Sequence, residues 1–236
     1  VGLGDTAVKE SKERVRAAIK NAGLDFPIKR ITINLAPADK RKEGSAFDLP
    51  IALGILSATE QINSSNIERY SFLGELSLDG GIKPVKGILP MVISARDDGI
   101  ENIVLPVENA DEAAVVKGVS IFPAGNIIDV VNHLNGKSEI KRYEVDIDSF
   151  FNKCLDYDSD FADVKGQENV KRALEVAASG GHNCLMIGSP GCGKTMIARR
   201  LPTILPSLTF EEALEVTKIH SITGDMPEKT SLITQR

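Results

Sequence analysis

Tryptophan is absent from this chain of 236 residues, aromatic residues make up only 5% of it, and cysteine and histidine occur three times each. Each shortage excludes something. With so few rings there is no ladder on which successive bases of a nucleic-acid strand could stack. Cys154, Cys184 and Cys192 lack the paired spacing of a metal or redox site, and a disulfide at Cys192 would be hard to accommodate. A reducing, cytoplasmic compartment is the simplest reading. His133, His182 and His220 stand alone in sequence, which suits packing or surface roles. No apolar run approaches a membrane span, and no signal-peptide pattern follows Val1. Charge of one sign is also scarce: the net charge is −5, too small to advertise a polyanionic partner for the whole chain.

That charge is unevenly placed. Residues 1–135 carry 15 basic and 18 acidic side chains, residues 136–160 carry 4 and 7, and residues 161–236 carry 9 and 8. The acidic excess falls in a polar tract, 137–160, ending in Asp156-Tyr157-Asp158-Ser159-Asp160, which reads as a linker with one anchor at Phe150-Phe151. Asp158 and Asp160 are spaced like metal ligands, but solvation is the ordinary fate of such a tract. Domains of 1–136 and 161–236 are expected on either side.

What the chain does have is Gly188-Ser189-Pro190-Gly191-Cys192-Gly193-Lys194-Thr195, which fits the phosphate-binding pattern G-x-x-x-x-G-K-[ST] without mismatch. The apolar run Asn183–Ile187 before it reads as a buried parallel strand, and Met196–Leu201 after it reads as a helix. Glycines let the backbone curl around phosphate oxygens. Lys194 is the residue to reach the β- and γ-phosphates, and the Thr195 hydroxyl the one to join the Mg²⁺ shell. ATP with Mg²⁺ is the expected ligand.

Ahead of this motif the pattern is mixed α/β. A helix from Asp5 or Thr6 to about Ala22 carries the apolar stripe Val8, Val15, Ala18, Ile19 and Ala22, with Glu10 and Arg14 spaced to pair. Its basic residues Lys9, Lys12, Arg16 and Lys20 could meet DNA, although a solvated face is the simpler reading. Arg30–Leu35 alternates as a strand, and Ala38–Gly44 is a charged loop in which Lys40-Arg41-Lys42 is bracketed by acids. Then come an apolar helix (Asp48–Ala58), a hairpin of Tyr70–Leu78 and Ile82–Val85 around Asp79-Gly80-Gly81, helices at about Ile88–Asp97, Ala110–Val116 and Ile127–Leu134, and strands at Asn102–Leu105 and Val119–Phe122. Later helices are expected at about Glu168–Ala178 and Glu211–Ile219.

Phe161-Ala162-Asp163-Val164-Lys165-Gly166-Gln167 resembles the segment that lies over the adenine in AAA+ ATPases, which implies nucleotide contacts at Val164 and Gly166. Leu201-Pro202-Thr203-Ile204-Leu205-Pro206 and Glu211–Ile219 resemble the magnesium-chelatase branch of that superfamily. Asp5–Ser11, Asn34–Ala38, Lys42–Pro50 and Gly74–Gly80 are similar to the ComM/YifB family. The resemblance implies a Lon-protease-like α+β domain of ribosomal-S5 type, followed by part of a P-loop AAA+ α/β domain. It further implies a homo-hexameric, ATP-dependent DNA helicase that promotes branch migration in natural transformation, with branched or single-stranded DNA as partner and no membrane.

Two departures qualify this. Family members carry further strands before the position of Val1, so the front domain is expected to lack its first part. No apolar run ending in Asp-Glu follows the phosphate loop within the 236 residues, which points to weak or no turnover by them alone. Aligning Glu43-Gly44-Ser45-Ala46 with the Lon nucleophile segment puts the serine position on Ala46, and the matching strand puts the lysine position on Leu89. Proteolysis is therefore not expected, although Ser45, Lys83 and Lys86 lie nearby. A magnesium-chelatase-type ATPase subunit and a non-enzymatic nucleotide-binding or assembly fragment are the alternative readings.

Overall fold

A computed structural model describes residues 3–4, 6–35, 41–42, 44–146, 159–226 and 231–234. Lys40, Cys154, Asp158 and the Phe150-Phe151 pair lie outside them. Contacts divide the chain into two units, 1–145 with 217–231 and 146–216 with 232–236.

The first unit begins with a short strand, β1 (Leu3–Gly4), parallel to β2 (Arg41–Lys42). Between them runs α1 (Thr6–Asn21), which buries Val15, Ala18 and Ile19, four and three residues apart on one face as helical geometry requires. Helix α2 (Asp48–Ala58) is apolar on nearly every side and is accordingly buried through Leu49, Ala52, Leu53 and Leu56. After α3 (Ser64–Ile67) come β3 (Ser71–Phe72), β4 (Glu75–Leu76) and β5 (Ile82–Lys83). Helix α4 (Ile88–Asp97), β6 (Asn102–Pro106), α5 (Ala110–Ala113), β7 (Ser120–Ala124) and α6 (Ile127–Leu134) complete the alternation. Strands β3, β6 and β7 form a parallel sheet in the order β3-β6-β7, and β4 and β5 form an antiparallel hairpin. The architecture is α/β.

Local chemistry sets these elements. Asn126 caps α6 by accepting the Asp129 N–H at 2.9 Å, and Ile127, Val130, Val131 and Leu134 then fall on one buried face. The β4–β5 turn is closed by Asp79, which accepts the Gly81 N–H at 3.2 Å, with Gly80 in the left-handed region at φ +91°. Gly74 divides the expected Tyr70–Leu78 strand into β3 and β4: a Cβ there would stand 2.7 Å from Ile82 Cγ2. Only a residue without a side chain lets the two segments approach so closely.

Some sequence expectations fail. Residues 30–35 take no regular secondary structure, and none of the described strands pairs with them. Arg41 and Lys42, read as loop, are strand β2. Helix α5 ends at Ala113 rather than Val116. The polar tract is not linker from its first residue: Tyr143 N–H bonds to Ile121 O at 2.8 Å and Ile140 N–H to His133 Nδ1 at 3.0 Å.

The second unit contains a short 3-10 turn, Phe161–Asp163, capped by Asp160, then α7 (Glu168–Gly180) and α8 (Lys194–Arg200). A 3-10 turn at Leu201–Ile204 leads to α9 (Phe210–Thr223), whose last residues fall in the first unit. Its buried cluster is Phe161, Val164, Leu174 and Ile197. The run Asn183–Ile187, expected as a buried strand, has no strand structure, and Leu185 and Ile187 are 85% and 88% exposed. As at residues 30–35, none of the described strands pairs with it.

Among the described residues no helix is long and apolar enough to cross a membrane.

Candidate nucleotide-binding site

The loop from Gly188 to Thr195 joins the irregular run 183–187 to α8. Gly191 and Gly193 adopt φ +80° and +89°, a backbone that side-chain-bearing residues rarely take, and Gly193 is the N-cap of α8. Ile197 N–H bonds back to Gly193 O at 3.0 Å and anchors the first turn. Ile197 itself is 2% exposed within the unit's buried cluster, so the loop is fastened to the core just past Thr195. A Cβ at Gly188 would meet Cys192 Sγ at 2.8 Å, which explains glycine at that end of the curl.

Lys194 is the first residue of α8, and its side chain folds back over the loop. The Nζ donates to Gly188 O and Ser189 O, both at 2.8 Å, and lies 3.5 Å from Cys192 Sγ. Its partners are uncharged. An ammonium resting on two carbonyls keeps its full charge for an anion, whereas one paired with a carboxylate would first have to be released. Ser189, Pro190 and Thr195 are exposed. The donor set fits a polyphosphate: a curled glycine backbone, one unneutralised cation and an accessible hydroxyl at Thr195 for a phosphate-bound cation. Among the described residues no cluster of three or more His, Cys, Asp or Glu could hold a metal by itself.

The segment expected over the adenine is divided in its roles. Val164 is 1% exposed, packed in the cluster with Phe161, Leu174 and Ile197, so its side chain serves the core. Gly166 is exposed at φ +69°. Gln167, which sequence reasoning passed over, connects this segment to the phosphate loop: its Nε2 donates to Cys192 O at 3.4 Å, and its backbone is left-handed at φ +55°. A non-glycine residue in that region was the missing clue, and φ is invisible in sequence. Arg200 Nε lies 3.5 Å from Asp163 Oδ2, a second tie between α8 and the adenine segment.

In the first unit, the positions aligned with a Lon dyad carry no nucleophilic chemistry. Ala46 is 6% exposed and Leu89 fully buried. The Ser45 hydroxyl donates to Glu75, and among the described residues no lysine bonds to it. The Leu89 N–H donates to Glu112 Oε1 at 3.2 Å, so a buried carboxylate caps the start of α4; burial pushes its pKa up. Close by, Asp48 is wholly buried. Its Oδ2 accepts from Arg14 Nε at 2.7 Å and from the Leu76 N–H at 3.2 Å, while its Oδ1 accepts from Arg14 Nη2 at 3.1 Å and from the Ser11 hydroxyl. Hydrogen bonding to Asp48 holds the Arg14 guanidinium above its ordinary pKa. The Glu10 partner expected for Arg14 is present but looser, at 3.8 Å. This is a satisfied internal ion pair, and its architecture is structural.

Comparison with known proteins agrees with both units. The family described as Subunit ChlI of Mg-chelatase matches residues 1–109, and the family described as Magnesium chelatase, subunit ChlI, matches residues 160–236. Competence protein ComM of Haemophilus influenzae is 42% identical over 94% of the chain and 44% of its own length. The uncharacterized protein YifB of Salmonella typhimurium is 47% identical over 94% of the chain and 43% of its own length. Lon protease 2 of Bacillus subtilis is 28% identical over 59% of the chain and 25% of its own length. The chain thus spans less than half the length of the ComM and YifB relatives it matches. With motifs and matches running through both units, the chain belongs to the magnesium-chelatase-like ComM/YifB family.

Proposed function

We propose that this chain is the nucleotide-binding part of an ATP-driven motor that acts on DNA. The observation that carries the nucleotide half is the Lys194 ammonium, poised over a left-handed glycine loop on neutral carbonyls alone. Residues 188–195 bind the polyphosphate. Lys194 leaves the Gly188 and Ser189 carbonyls for the β- and γ-phosphate oxygens, and the Thr195 hydroxyl takes a place in the Mg²⁺ shell. Bound Mg²⁺-ATP supplies the phosphoanhydride whose cleavage drives movement. Gly166 and the backbone at Val164 would contact the adenine, and Gln167, bonded to Cys192 O, would link the loop to that segment.

The domain reading follows: a Lon-like, non-proteolytic module over 1–136, and an AAA+ portion over 161–236. The DNA half is supported by the 42% identity to Competence protein ComM. On this reading the whole protein is a cytoplasmic hexameric helicase that promotes branch migration during natural transformation. Because both matching families are named for a chelatase subunit, a chelatase-type motor is the second reading.

The decisive measurement is steady-state ATP hydrolysis by the full-length protein, with and without branched DNA. DNA-stimulated hydrolysis that disappears in Lys194→Ala supports the motor. Stimulation by a porphyrin-loaded partner and not by DNA replaces it with the chelatase reading.

A further inference from the structure

The first unit carries a concave surface that the nucleotide chemistry leaves unused. It lies between α1 and the irregular segment that follows it, and encloses about 640 Å³. Five cations line it: Lys12, Arg16 and Lys20 from the helix, Lys29 and Arg30 from the segment. Among the described residues no carboxylate lines it; the neighbouring acids Glu13 and Asp25 are exposed and are not part of its lining. None of the five cations forms an ion pair among the described residues, in contrast to Arg14 on the same helix. The floor is apolar, with the half-buried Phe26 ring covered at 6.0 Å by the Arg16 guanidinium and Ile28 fully exposed beside it.

We propose that this cleft binds the sugar-phosphate backbone of a single nucleic-acid strand, with a base resting against the Phe26–Ile28 floor. Its occupant follows from charge and spacing. At 1.5 Å of rise per residue, Lys12, Arg16 and Lys20 stand about 6 Å apart along one line, a row of positive charge that an extended polyanion can follow. An acidic peptide would satisfy the cations but has no use for the aromatic and apolar floor, whereas an unstacked base does. A duplex keeps its base faces inside the stack and gains only the cations. One ring makes a stacking point rather than a ladder, which fits binding without sequence preference. Arg16 serves both surfaces, since its guanidinium carbon lies 6.0 Å from the Phe26 ring centroid and its charge is left for the strand. A helix face that is merely solvated would mix its signs, and this one does so only outside the cleft.

The inference rests on DNA being the partner of the motor, and its test separates the two. Binding of a labelled single-stranded oligonucleotide is measured by fluorescence anisotropy over a series of salt concentrations, on the full chain. Lys12→Ala/Arg16→Ala/Lys20→Ala removes three exposed charges, and the slope of log affinity against log salt should fall by about two. Lys137→Ala/Lys141→Ala/Arg142→Ala, which removes three exposed charges elsewhere on the unit, should leave it unchanged. If the helix variant melts early, Lys29→Ala/Arg30→Ala, outside any helix, carries the test, with a fall of about one and a half. Wild-type binding that neither cleft variant weakens overturns the cleft and leaves the DNA reading standing. Absence of any binding by the wild-type chain overturns both. Cleft variants that lose polyglutamate or phosphatidylserine vesicles but keep DNA overturn the occupant.

Discussion

The two units put their key cations to opposite uses. In the first, Arg14 is locked to a fully buried carboxylate by two hydrogen bonds, and Asp48 fills its remaining capacity with a hydroxyl and a backbone N–H. In the second, Lys194 is half-buried and rests on carbonyls that carry no charge. The first arrangement is finished: all four acceptor sites of the carboxylate are taken, and the chain's own fold is the beneficiary. The second has only neutral partners, so the charge stays available, as the proposed nucleotide site requires.

The strongest way to break that contrast is at Asp48. Asp48→Ala should destabilise the first unit by about 3–5 kcal/mol, because it leaves a part-buried guanidinium, a buried hydroxyl and a backbone donor without their acceptor. Urea unfolding checks this, and Arg14→Met/Asp48→Leu should recover much of the loss. If Asp48→Ala costs less than about 1 kcal/mol, the pair is not structural in the sense argued.

A second comparison uses one chemistry in both units. Leu53→Ala, in the buried face of α2, should cost about 2–5 kcal/mol. Leu185→Ala, at a position 85% exposed, should stay within about 0.5 kcal/mol in this chain. Equal losses would mean that the 183–187 run is packed after all.

Next in size is Lys194→Ala. Loss of charge-assisted bonds should weaken Mg²⁺-ATP binding by about 1.5–3 kcal/mol, read by calorimetry, while the melting temperature of the nucleotide-free chain stays nearly constant. A large fall in that temperature would make Lys194 a structural residue like Arg14.

The smallest effect concerns His133. Its Nδ1 accepts the Ile140 N–H at 3.0 Å and its Nε2 lies 3.0 Å from the Tyr70 hydroxyl, an arrangement that requires the neutral ring. Burial lowers its pKa below the ordinary value, against a raising influence from Glu139. The unfolded chain therefore takes up the proton first. The stabilisation is complete above the unfolded value of about 6.5 and is lost as pH falls through the folded one. The urea midpoint should drop between neutral and mildly acidic pH, and His133→Gln should flatten that drop.

Helices were largely legible in the sequence because their signals are local. Helices α2, α4 and α6 begin and end where apolar period and turn chemistry place them. Strands were less so. Arg30–Leu35 alternates well and Asn183–Ile187 is apolar enough, but a strand is a relation between two segments, and composition records only one side of it. The motif at 188–195 was legible for the complementary reason, since its eight residues are consecutive and the contacts of Lys194 run within them. Contacts across the sequence were not. The spacing rule gave Arg14 the partner four residues away, while the tighter one lies 34 positions on. Gln167 reaches the loop across 25 positions, and Val164, expected at the ligand, turns its side chain into the core.

Asp48 also bears on how the first unit reaches its fold. Its donors come from residues 11 and 14 on α1 and residue 76 on β4, so no two neighbouring segments can satisfy it by themselves. A partly assembled intermediate that docks α2 without α1 or β4 has to bury an ionised carboxylate with donors missing. Such intermediates are penalised, and the three segments are pressed to arrive together. The same carboxylate that makes the finished unit rigid thus removes the half-built forms in which its apolar helices would lie open.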